Sequence, residues 1–532
     1  MKKKSIFDDY VGQHPAAASF FNLPLKPDWL SAARNIAGEQ RHRDFVQLLY
    51  EQNKHTEDPA VHRVLKSLNE KPPLFVVTGQ QTGLFVSPMY TIYKTLSAIH
   101  LARSLQRRLP DYNVCPLFWI EGEDHDYKEV ASLWVWTKEG RLQSFFLAEQ
   151  EKEKGFSMGR RRLPASVNVL LDELKAALPL TDFSRELFSV LQSCYQPQRN
   201  WAEAFACLIR HIFYGTGLLL FLPGDPQIKS ASVPFFEQLI QDNEAVLAAF
   251  SAQAENIDAG GYALQVHLRK SLAYIYLSDG GGARQHIYRD NEAGFIRADR
   301  KKRWKQNELV DYARLHPEWF SSTVLTRPLW QSWMLPVISY VAGPAEIAYW
   351  AMLKKAFERL NLYMPHLQPR ASFTLVEPAI QRLLEKLNID PAAVTPDAQN
   401  FVREQLKQTD QTGLTESFRS LRTKMRTEQE HLSPILKEVD PTLAPAAQKT
   451  FFQIEKSLNA LEAKALKRLE EKERQKTTQL QRIREHFYPQ GKKQERIIAP
   501  LYFLNKYGLD WVKEIGKKID PDDFSHRIFY LS

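Results

Sequence analysis

Leu74-Phe-Val-Val-Thr-Gly-Gln-Gln-Thr-Gly-Leu-Phe-Val-Ser-Pro-Met-Tyr-Thr-Ile-Tyr-Lys94 is the stretch of this 532-residue chain that decides its fold. Its apolar start, residues 74–77, predicts a buried parallel strand, and residues 78–83 predict a polar glycine loop. Pro88 suits the first turn of a helix, where its missing N–H is not needed. Such a unit places backbone N–H groups and the positive end of a helix dipole at the carboxyl edge of a sheet. We therefore predict a site for a phosphate or carboxylate at residues 78–83.

Composition and charge narrow the class of protein. Hydrophobic residues make up 44% and charged residues 25% of the chain, as in ordinary globular proteins, and no apolar run reaches the ~20 residues of a membrane span. The basic start is followed by Asp8 and Asp9 rather than by the apolar core of a signal peptide, which predicts a cytoplasmic protein. A net charge of +9 suits anionic small substrates and nucleotides. Because no nucleic-acid motif is present, we expect neither RNA nor DNA binding.

The cysteines carry little signal. Cys115, Cys194 and Cys207 are too few and too scattered for a disulfide framework or a zinc cluster. We expect them to be small buried thiols in a reducing compartment.

A second strand and an acidic stretch follow the first unit. Residues 114–120 predict a buried strand, and Glu121-Gly-Glu-Asp-His-Asp126 continues it. In an open α/β sheet, ligands bind beyond the carboxyl ends of strands. The stretch could be a solvated turn that caps the next helix, a metal site, or a grip on an amino group, and the residue types leave these alternatives open. By type, Asp124, His125 and Asp126 are the acid–base candidates.

Strand–loop–helix units recur near residues 74, 114, 217, 337 and 364, which predicts an α/β protein with a Rossmann-like core. Neither the dinucleotide fingerprint GxGxxG nor the phosphate loop GxxxxGK[ST] is present, which disfavours NAD enzymes and P-loop ATPases. Two acidic residues have simple capping interpretations, Asp225 at a turn and Glu346 in a first helical turn. The predicted division is a helical segment at 1–70, a Rossmann-like core at 71–376 with insertions near 133–215 and 255–320, a helical arm at 377–488, and a tail at 489–532 that docks on the core.

The arm has the period of a coiled coil. Leu414, Phe418, Leu421, Met425 and Leu432 recur at three-, four- and seven-residue steps amid dense charge, and a proline-rich turn follows. We predict an antiparallel helical pair that builds a homodimer. The alternative is a solvated helical hairpin that packs on its own body.

The motifs of this chain, taken together and in order, resemble the BshC family, which is assigned as the cysteine ligase of bacillithiol biosynthesis. The resemblance spans the chain nearly end to end and rests on Thr78-Gly-Gln-Gln-Thr-Gly83, Pro88-Met-Tyr-Thr-Ile-Tyr-Lys94, Phe118-Trp-Ile-Glu-Gly-Glu-Asp-His-Asp126, Arg327-Pro-Leu-Trp-Gln331, Tyr340-Val-Ala-Gly-Pro-Ala-Glu-Ile-Ala-Tyr-Trp350, Pro369-Arg-Ala-Ser372 and Gln494-Glu-Arg496. Ala345 stands where the family pattern leads us to expect glycine.

The resemblance implies a class I synthetase-like Rossmann core with connecting insertions and a coiled-coil arm that dimerises the protein. It implies a ligase that joins L-cysteine to the amine of glucosaminyl-malate, with ATP, and Mg²⁺ inferred from the reaction, as the activating cofactors. The paired-histidine motif and the KMSKS-type loop of those synthetases are absent, as is a zinc-binding cysteine–histidine cluster. A ligase or nucleotidyltransferase acting on another amine, and a noncatalytic dimeric binding protein, are the alternatives.

The residues carried over from these motifs form one predicted site, in which Lys94 has an equally good interpretation as a structural ion-pair residue. The nucleotide- and substrate-binding candidates are Thr78, Gly79, Gln80, Gln81, Gly83, Lys94, Glu123, Arg327, Gln331, Gly343, Glu346, Tyr349, Arg370 and Ser372.

Overall fold

The structure, a computed structural model, describes residues 3–37, 45–278, 280, 282–290, 294–408 and 413–531. It divides into two compact units, one made of Met1–Ser372 with Ile498–His526 and the other of Phe373–Ile497 with Arg527–Ser532. Among the described helices, none has the combination of length and apolar character that crossing a membrane requires.

The strands, numbered in chain order, are β1 (Pro73–Gln81), β2 (Asn113–Glu121), β3 (Ser132–Trp136), β4 (Leu142–Phe146), β5 (Leu219–Phe221), β6 (Leu272–Leu277), β7 (Gln285–Asp290), β8 (Gly294–Arg297), β9 (Arg303–Trp304), β10 (Phe320–Ser322), β11 (Val337–Ala342), β12 (His366–Pro369), β13 (Ser372–Val376) and β14 (His526–Tyr530).

The α-helices of the first unit are α1 (Ile6–Val11), α2 (Pro15–Ala18), α3 (Trp29–Ala37), α4 (Phe45–Asn53), α5 (Pro59–Ser67), α6 (Tyr90–Arg108), α7 (Tyr127–Val130), α8 (Ser166–Ala177), α9 (Ser184–Cys194), α10 (Trp201–Ile212), α11 (Pro226–Ala231), α12 (Val233–Gln241), α13 (Asn243–Ala259), α14 (Gln306–Leu315), α15 (Arg327–Met334), α16 (Pro344–Trp350) and α17 (Lys354–Arg359).

The second unit contains α18 (Pro378–Leu387), α19 (Ala398–Gln408), α20 (Leu414–Val439), α21 (Leu443–Lys472) and α22 (Arg474–Phe487), and the first unit ends with α23 (Pro500–Tyr507) and α24 (Trp511–Gly516).

A five-stranded parallel sheet lies at the centre of the first unit, in the order β12–β11–β1–β2–β5. Both faces of the sheet are covered, and the buried residues include the apolar runs 74–77 of β1 and 114–120 of β2 and the whole of β11. The predicted α/β class and Rossmann-like core are confirmed. Since all five strands run in one direction, the residues at their carboxyl ends meet along one edge of the sheet.

The first strand is longer than the sequence predicts. β1 pairs with β2 residue by residue as far as Gln81 opposite Glu121. Thr78, Gly79, Gln80 and Gln81 therefore belong to the strand, and the prediction of a loop beginning at residue 78 is wrong. The reason is that β2 runs alongside for its whole length and offers a ladder partner to each of these polar residues.

An antiparallel sheet forms the body of the second predicted insertion. Its strand order is β10–β6–β7–β8–β9. The sequence Asp279-Gly-Gly-Gly282 between β6 and β7 is typical of a hairpin turn, and residues 279 and 281 lie outside the described part of the chain. This sheet brings Tyr276, Arg284 and His286 close to the acidic stretch after β2, as the ring contact between His125 and Tyr276 shows.

Two cysteines differ from the expectation of separate thiols. Cys194 and Cys207 form a disulfide, because the end of α9 and the second turn of α10 lie side by side. Cys115 is a buried free thiol, as predicted.

The second unit carries a helical hairpin. α20 and α21 run antiparallel, joined by residues 440–442, and Arg422 of α20 forms an ion pair with Glu462 of α21. Pro434 lies inside α20 rather than in the turn.

The C-terminal tail is divided, since residues 498–526 belong to the first unit whereas β14 pairs with β13 and falls mainly in the second. Docking of the whole tail, residues 489–532, on the core stays a prediction.

Candidate active site

The segment between β1 and α6 is closed by its own bonds. The N–H of Phe85 donates to the hydroxyl of Tyr195 (3.1 Å), and the N–H of Met89 donates to the carbonyl oxygen of Ile498 (2.8 Å). Phe85 is fully buried. Protein acceptors therefore occupy these two donors just before α6, and the anion seat at residues 78–83 stays a prediction.

The glycines of this segment serve packing. A Cβ on Gly79 would lie 2.9 Å from the carbonyl oxygen of Trp119, and one on Gly83 would overlap the carbonyl oxygen of Ser87. Close approach of neighbouring backbone thus requires glycine at both positions. Backbone packing alone therefore explains both glycines, without the close approach to a ligand that the sequence predicts.

Lys94 lies at the hub of a buried network at the carboxyl edge. Its Nζ forms an ion pair with Glu346 Oε2 (2.8 Å) and donates to the carbonyl oxygen of Gly79. Glu346 also accepts from the Gly343 N–H (2.8 Å) and the Tyr340 hydroxyl (2.8 Å). Burial lowers the pKa of Lys94, although Glu346 opposes the shift. The structural ion-pair interpretation therefore fits Lys94 better than contact with a phosphate, and the capping interpretation of Glu346 is confirmed.

Arg327 is buried without a carboxylate partner. Its guanidinium donates to Gln331 Oε1 (2.8 Å) and the hydroxyls of Tyr349 (2.9 Å) and Tyr340 (3.4 Å), and it makes no ion pair with any described residue. It carries a fixed charge, since arginine does not deprotonate in proteins. Gln331 is fully buried, and its Nε2 has no hydrogen-bond partner. A buried cation and an unsatisfied donor side by side form a surface suited to an anionic ligand.

The outer carboxylates of the acidic stretch build a turn. Asp124 Oδ1 accepts from the N–H of His125 (2.6 Å), and its Oδ2 accepts from Gln81 Nε2. Although burial raises it, the bond from Gln81 and the charge of Arg284 hold the pKa of Asp124 below its usual value. Asp126 is the N-cap of α7 and accepts from the N–H of residue 129 (3.3 Å). The capping interpretation therefore accounts for both aspartates, and neither is favoured as an acid–base group.

The two glutamates of the same stretch lie deeper. Glu123 is 6% exposed and forms an ion pair with Lys229, which also donates to the carbonyl oxygen of Phe320 (2.6 Å). Glu123 Oε2 has no hydrogen-bond partner. Its pairing with Lys229 could not be predicted, because the two residues are 106 positions apart.

Glu121 ends β2 and is the carboxylate with the greatest shift toward neutrality. Its Oε2 accepts from Trp119 Nε1 (3.2 Å). Burial, followed by the charge of Glu123, raises its pKa to about 7, and Arg327 and Arg284 oppose this shift. A carboxyl group with such a pKa exchanges a proton near neutral pH, which is the property of a general base.

The antiparallel sheet adds a second side to the acidic stretch. The ring of Tyr276 stacks on His286 (centroids 4.0 Å apart), and the Arg284 guanidinium lies 3.8 Å from the centre of the same ring. His125 meets the edge of Tyr276 at 5.8 Å. Burial and the charge of Arg284 lower the pKa of His125 and bring that of His286 to about 4, so both imidazoles are neutral at pH 7.

The remaining predicted residues lie nearby or are engaged locally. Gln80 Nε2 donates to the Tyr90 hydroxyl (3.1 Å), and the buried Arg370 lies over the ring of Tyr90 at 5.2 Å. Thr78 donates to a carbonyl of β11. Ser372 Oγ bonds the imidazole of His526 (2.6 Å).

Asp124, His125 and Asp126 do not form a three-ligand group in the part of the chain that the structure describes. The group with metal-ligand spacing there is Cys194, Cys207 and His211, and its two sulfurs are bonded to each other.

Comparison with known proteins identifies the family. One model, described as the N-terminal Rossmann-like domain of bacillithiol biosynthesis BshC, matches residues 1–371, and a second, its C-terminal coiled-coil domain, matches residues 373–531. The chain belongs to the BshC family. A relative from Chlorobaculum tepidum, named "Putative cysteine ligase BshC", is 32% identical over 96% of this chain and 94% of its own length.

Relatives of the same name occur in other bacteria. That of Symbiobacterium thermophilum is 33% identical over 87% of this chain and 85% of its own length, and that of Bacillus licheniformis is 28% identical over 95% and 94%. These matches support a role of the protein in bacillithiol biosynthesis as a ligase.

Sequence reasoning missed several residues at this edge. Glu121 and Tyr340 lie within the quoted motifs but are not among the predicted site residues, and Lys229, Tyr276 and Arg284 come from distant segments. The available signal for Glu121 was its position as the last residue of an apolar strand, where a carboxylate is desolvated.

Proposed function

We propose that this BshC-family protein is an ATP-dependent ligase that forms an amide between the carboxyl group of L-cysteine and the amine of glucosaminyl-malate. The observation that carries the proposal is that two unusual groups occur at one sheet edge. One is a buried arginine, Arg327, that lacks a carboxylate partner, and the other is a glutamate, Glu121, whose pKa lies near neutrality. Arg327 acts on Glu121 electrostatically, so the two groups share one site. Amide formation needs an anion-stabilising group and a proton acceptor in such proximity.

Arg327 is the proposed anion-binding group. Forming the amide requires an activated carboxylate, and the negative charge that develops on the transferred group is stabilised by fixed cations in a water-poor environment. Arg327 is held by Gln331, Tyr340 and Tyr349 and so needs little reorganisation. The unsatisfied Nε2 of Gln331 supplies a neutral donor beside it.

Glu121 is the proposed proton acceptor. The attacking amine is an ammonium ion at neutral pH and must lose a proton before its lone pair can form the carbon–nitrogen bond. Glu121 in its carboxylate form takes that proton, and its environment raises its basicity to the range in which the transfer is efficient. Glu123 is already paired with Lys229, but its Oε2 has no hydrogen-bond partner and could accept one hydrogen bond from the ammonium.

ATP supplies the activation of the cysteine carboxylate, and magnesium would accompany its phosphates. Arg327 and Gln331 would hold a phosphate, since a buried cation and an unbonded amide N–H suit anionic oxygens. Lys94 is excluded from this part because its charge is neutralised by Glu346.

The purified protein, incubated with ATP, cysteine and glucosaminyl-malate, tests the proposal. We expect ATP-dependent bacillithiol on mass spectrometry and its loss in an Arg327→Gln variant. A panel of other amines, followed by nucleotide consumption, distinguishes a ligase of the same fold with another acceptor. Absence of product from the wild-type protein, together with intact bacillithiol in cells lacking the gene, would refute the function.

We also propose that the protein is a cytoplasmic homodimer formed through the hairpin of α20 and α21. Several large apolar side chains of this hairpin are exposed, among them Phe452 (68%) and Leu461 (56%). Exposed apolar patches on a helical surface are typical of protein–protein interfaces. A second copy of the same hairpin would cover them.

A further inference from the structure

We propose that Arg284, on the antiparallel sheet, binds the carboxylate of an amine-bearing substrate and so determines which substrates the site accepts. This inference rests on the proposed function, because it names a subsite of the same site. It concerns the insertion rather than the Rossmann-like core, and it follows from the groups that this sheet leaves without partners.

Arg284 has a free donor and no direct counterion. Its Nε donates to Ser321 Oγ (3.0 Å) and its Nη2 donates to the carbonyl oxygen of Ser322, whereas Nη1 bonds none of the described residues. No carboxylate of the described chain lies within ion-pair distance of it. The two bonds fix the plane of the guanidinium, which presents the remaining nitrogen in a defined direction.

The neighbours of Arg284 also have unused hydrogen-bonding capacity. Nδ1 of His125 and Nδ1 of His286 are buried and have no hydrogen-bond partner. Both imidazoles are neutral at pH 7, so each can donate one hydrogen bond without adding charge. The two buried imidazole nitrogens are costly unless a ligand or water satisfies them.

The stack holds Arg284 rigidly. His286 and Arg284 lie 4.0 and 3.8 Å from the same Tyr276 ring, and two groups at these distances must occupy opposite faces of it. The ring is therefore sandwiched between an imidazole and a guanidinium, which gives a cation–π contact in addition to the bonds from Ser321 and Ser322. A pre-positioned guanidinium loses little freedom when it binds a carboxylate.

The surrounding charges indicate a ligand that carries both signs. Arg284 acts electrostatically on Glu121 and Asp124, which lie on the core side of the stack. With the ammonium group of a ligand at Glu121, Arg284 would be the group that binds a carboxylate of the same molecule. Cysteine and glucosaminyl-malate both carry an amine and a carboxylate, so the chemistry is shared and the source must be found by experiment.

Calorimetric titration of the full-length protein tests the proposal without turnover. Two pairs of ligands are compared. Glucosaminyl-malate is compared with methyl glucosaminide, which lacks the malate carboxylates. L-Cysteine is compared with cysteamine, which lacks the carboxylate. The variants are Arg284→Gln and, as a matched control, Arg289→Gln on β7, the strand that begins directly after Arg284; this control removes an arginine paired with Glu244.

We expect Arg284→Gln to weaken binding of one carboxylate-bearing ligand at least about tenfold and to leave its carboxylate-free analogue unchanged, with Arg289→Gln close to wild type. The affected pair identifies the source. Three results would overturn the proposal. Arg284→Gln could weaken binding of a ligand and of its analogue equally, it could weaken binding of neither carboxylate-bearing ligand, or the wild type could bind neither of them. Arg284→Lys keeps the positive charge and should retain part of the affinity. It serves as a control for loss of binding through misfolding. Failure of the proposed function appears separately, as absence of product from wild-type protein.

Discussion

Lys94 and Glu346 form a buried ion pair that joins the first helix after β1 to the first turn of α16, across the carboxyl edge of the sheet. Their charged atoms lie 2.8 Å apart, and the Lys94 side chain is 1% exposed. The pair also fixes Gly79 and Gly343, the residues at which β1 and β11 approach the site. The Lys94 ammonium thus holds together the edge of the sheet at which Arg327 and Glu121 act.

Loss of the cation alone should destabilise the fold strongly. Lys94→Met leaves Glu346 charged and without its partner, so we expect the free energy of unfolding to fall by about 3–5 kcal/mol. Urea denaturation measures the change. In Lys94→Met/Glu346→Leu no charge is left unpaired, and most of the loss should be recovered. A double variant as unstable as the single one would show that packing, rather than charge, holds this edge.

The same pair predicts a defined dependence of stability on pH. Although burial opposes it, Lys94 and the N–H of Gly343 hold the pKa of Glu346 below the ordinary value of 4.5. A depressed folded-state pKa gives stability that is present above the unfolded pKa and is lost as pH falls through the folded one. Wild type should therefore lose more unfolding free energy than Glu346→Gln between about pH 5 and pH 3. Parallel slopes for the two proteins would contradict the assignment.

The sequence sufficed for the architecture because the strand positions predicted near residues 74, 114, 217, 337 and 364 correspond to β1, β2, β5, β11 and β12. Each position is marked by apolar residues followed by loop signals. The continuation of β1 through residues 78–81 was not predicted, because polar residues in this stretch indicate a loop. Whether a polar residue continues a strand depends on the neighbouring strand, here β2 with Glu121 opposite Gln81, which local pattern does not contain.

The site was only partly predictable for a related reason. Residues within the motifs, such as Arg327, Gln331 and Tyr349, do come together. The partners that decide their chemistry lie far along the chain. Lys229 pairs with Glu123 from 106 positions away, and Arg284, directly before β7, acts on Asp124 electrostatically. Burial and pairing, rather than residue type, therefore separate the structural aspartates from the candidate base.

The hairpin predicts the oligomeric state. If α20 and α21 pair with a second copy, a charge at an exposed apolar position should prevent association, because burying an unpaired charge costs several kcal/mol. Phe452→Lys/Leu461→Lys should give a monomeric mass by light scattering at micromolar concentration. The control Gln448→Lys adds a charge at an exposed polar position of α21 and should leave the dimer intact. A monomeric wild type would refute the dimer.

Glu121 predicts the pH dependence of the proposed reaction. Burial and Glu123 raise its pKa to about 7, so the carboxylate form that accepts the proton becomes populated as pH rises through neutrality. The kcat/KM for the amine should rise along a limb with an apparent pKa near that value in wild type. Glu121→Gln cannot accept the proton and should lower kcat by about 10²–10⁴-fold and abolish the limb. Asp126→Asn, at the N-cap of α7, is the matched control and should keep both rate and profile. A Glu121→Gln variant with the wild-type limb would assign the titration to another group and remove Glu121 from the mechanism.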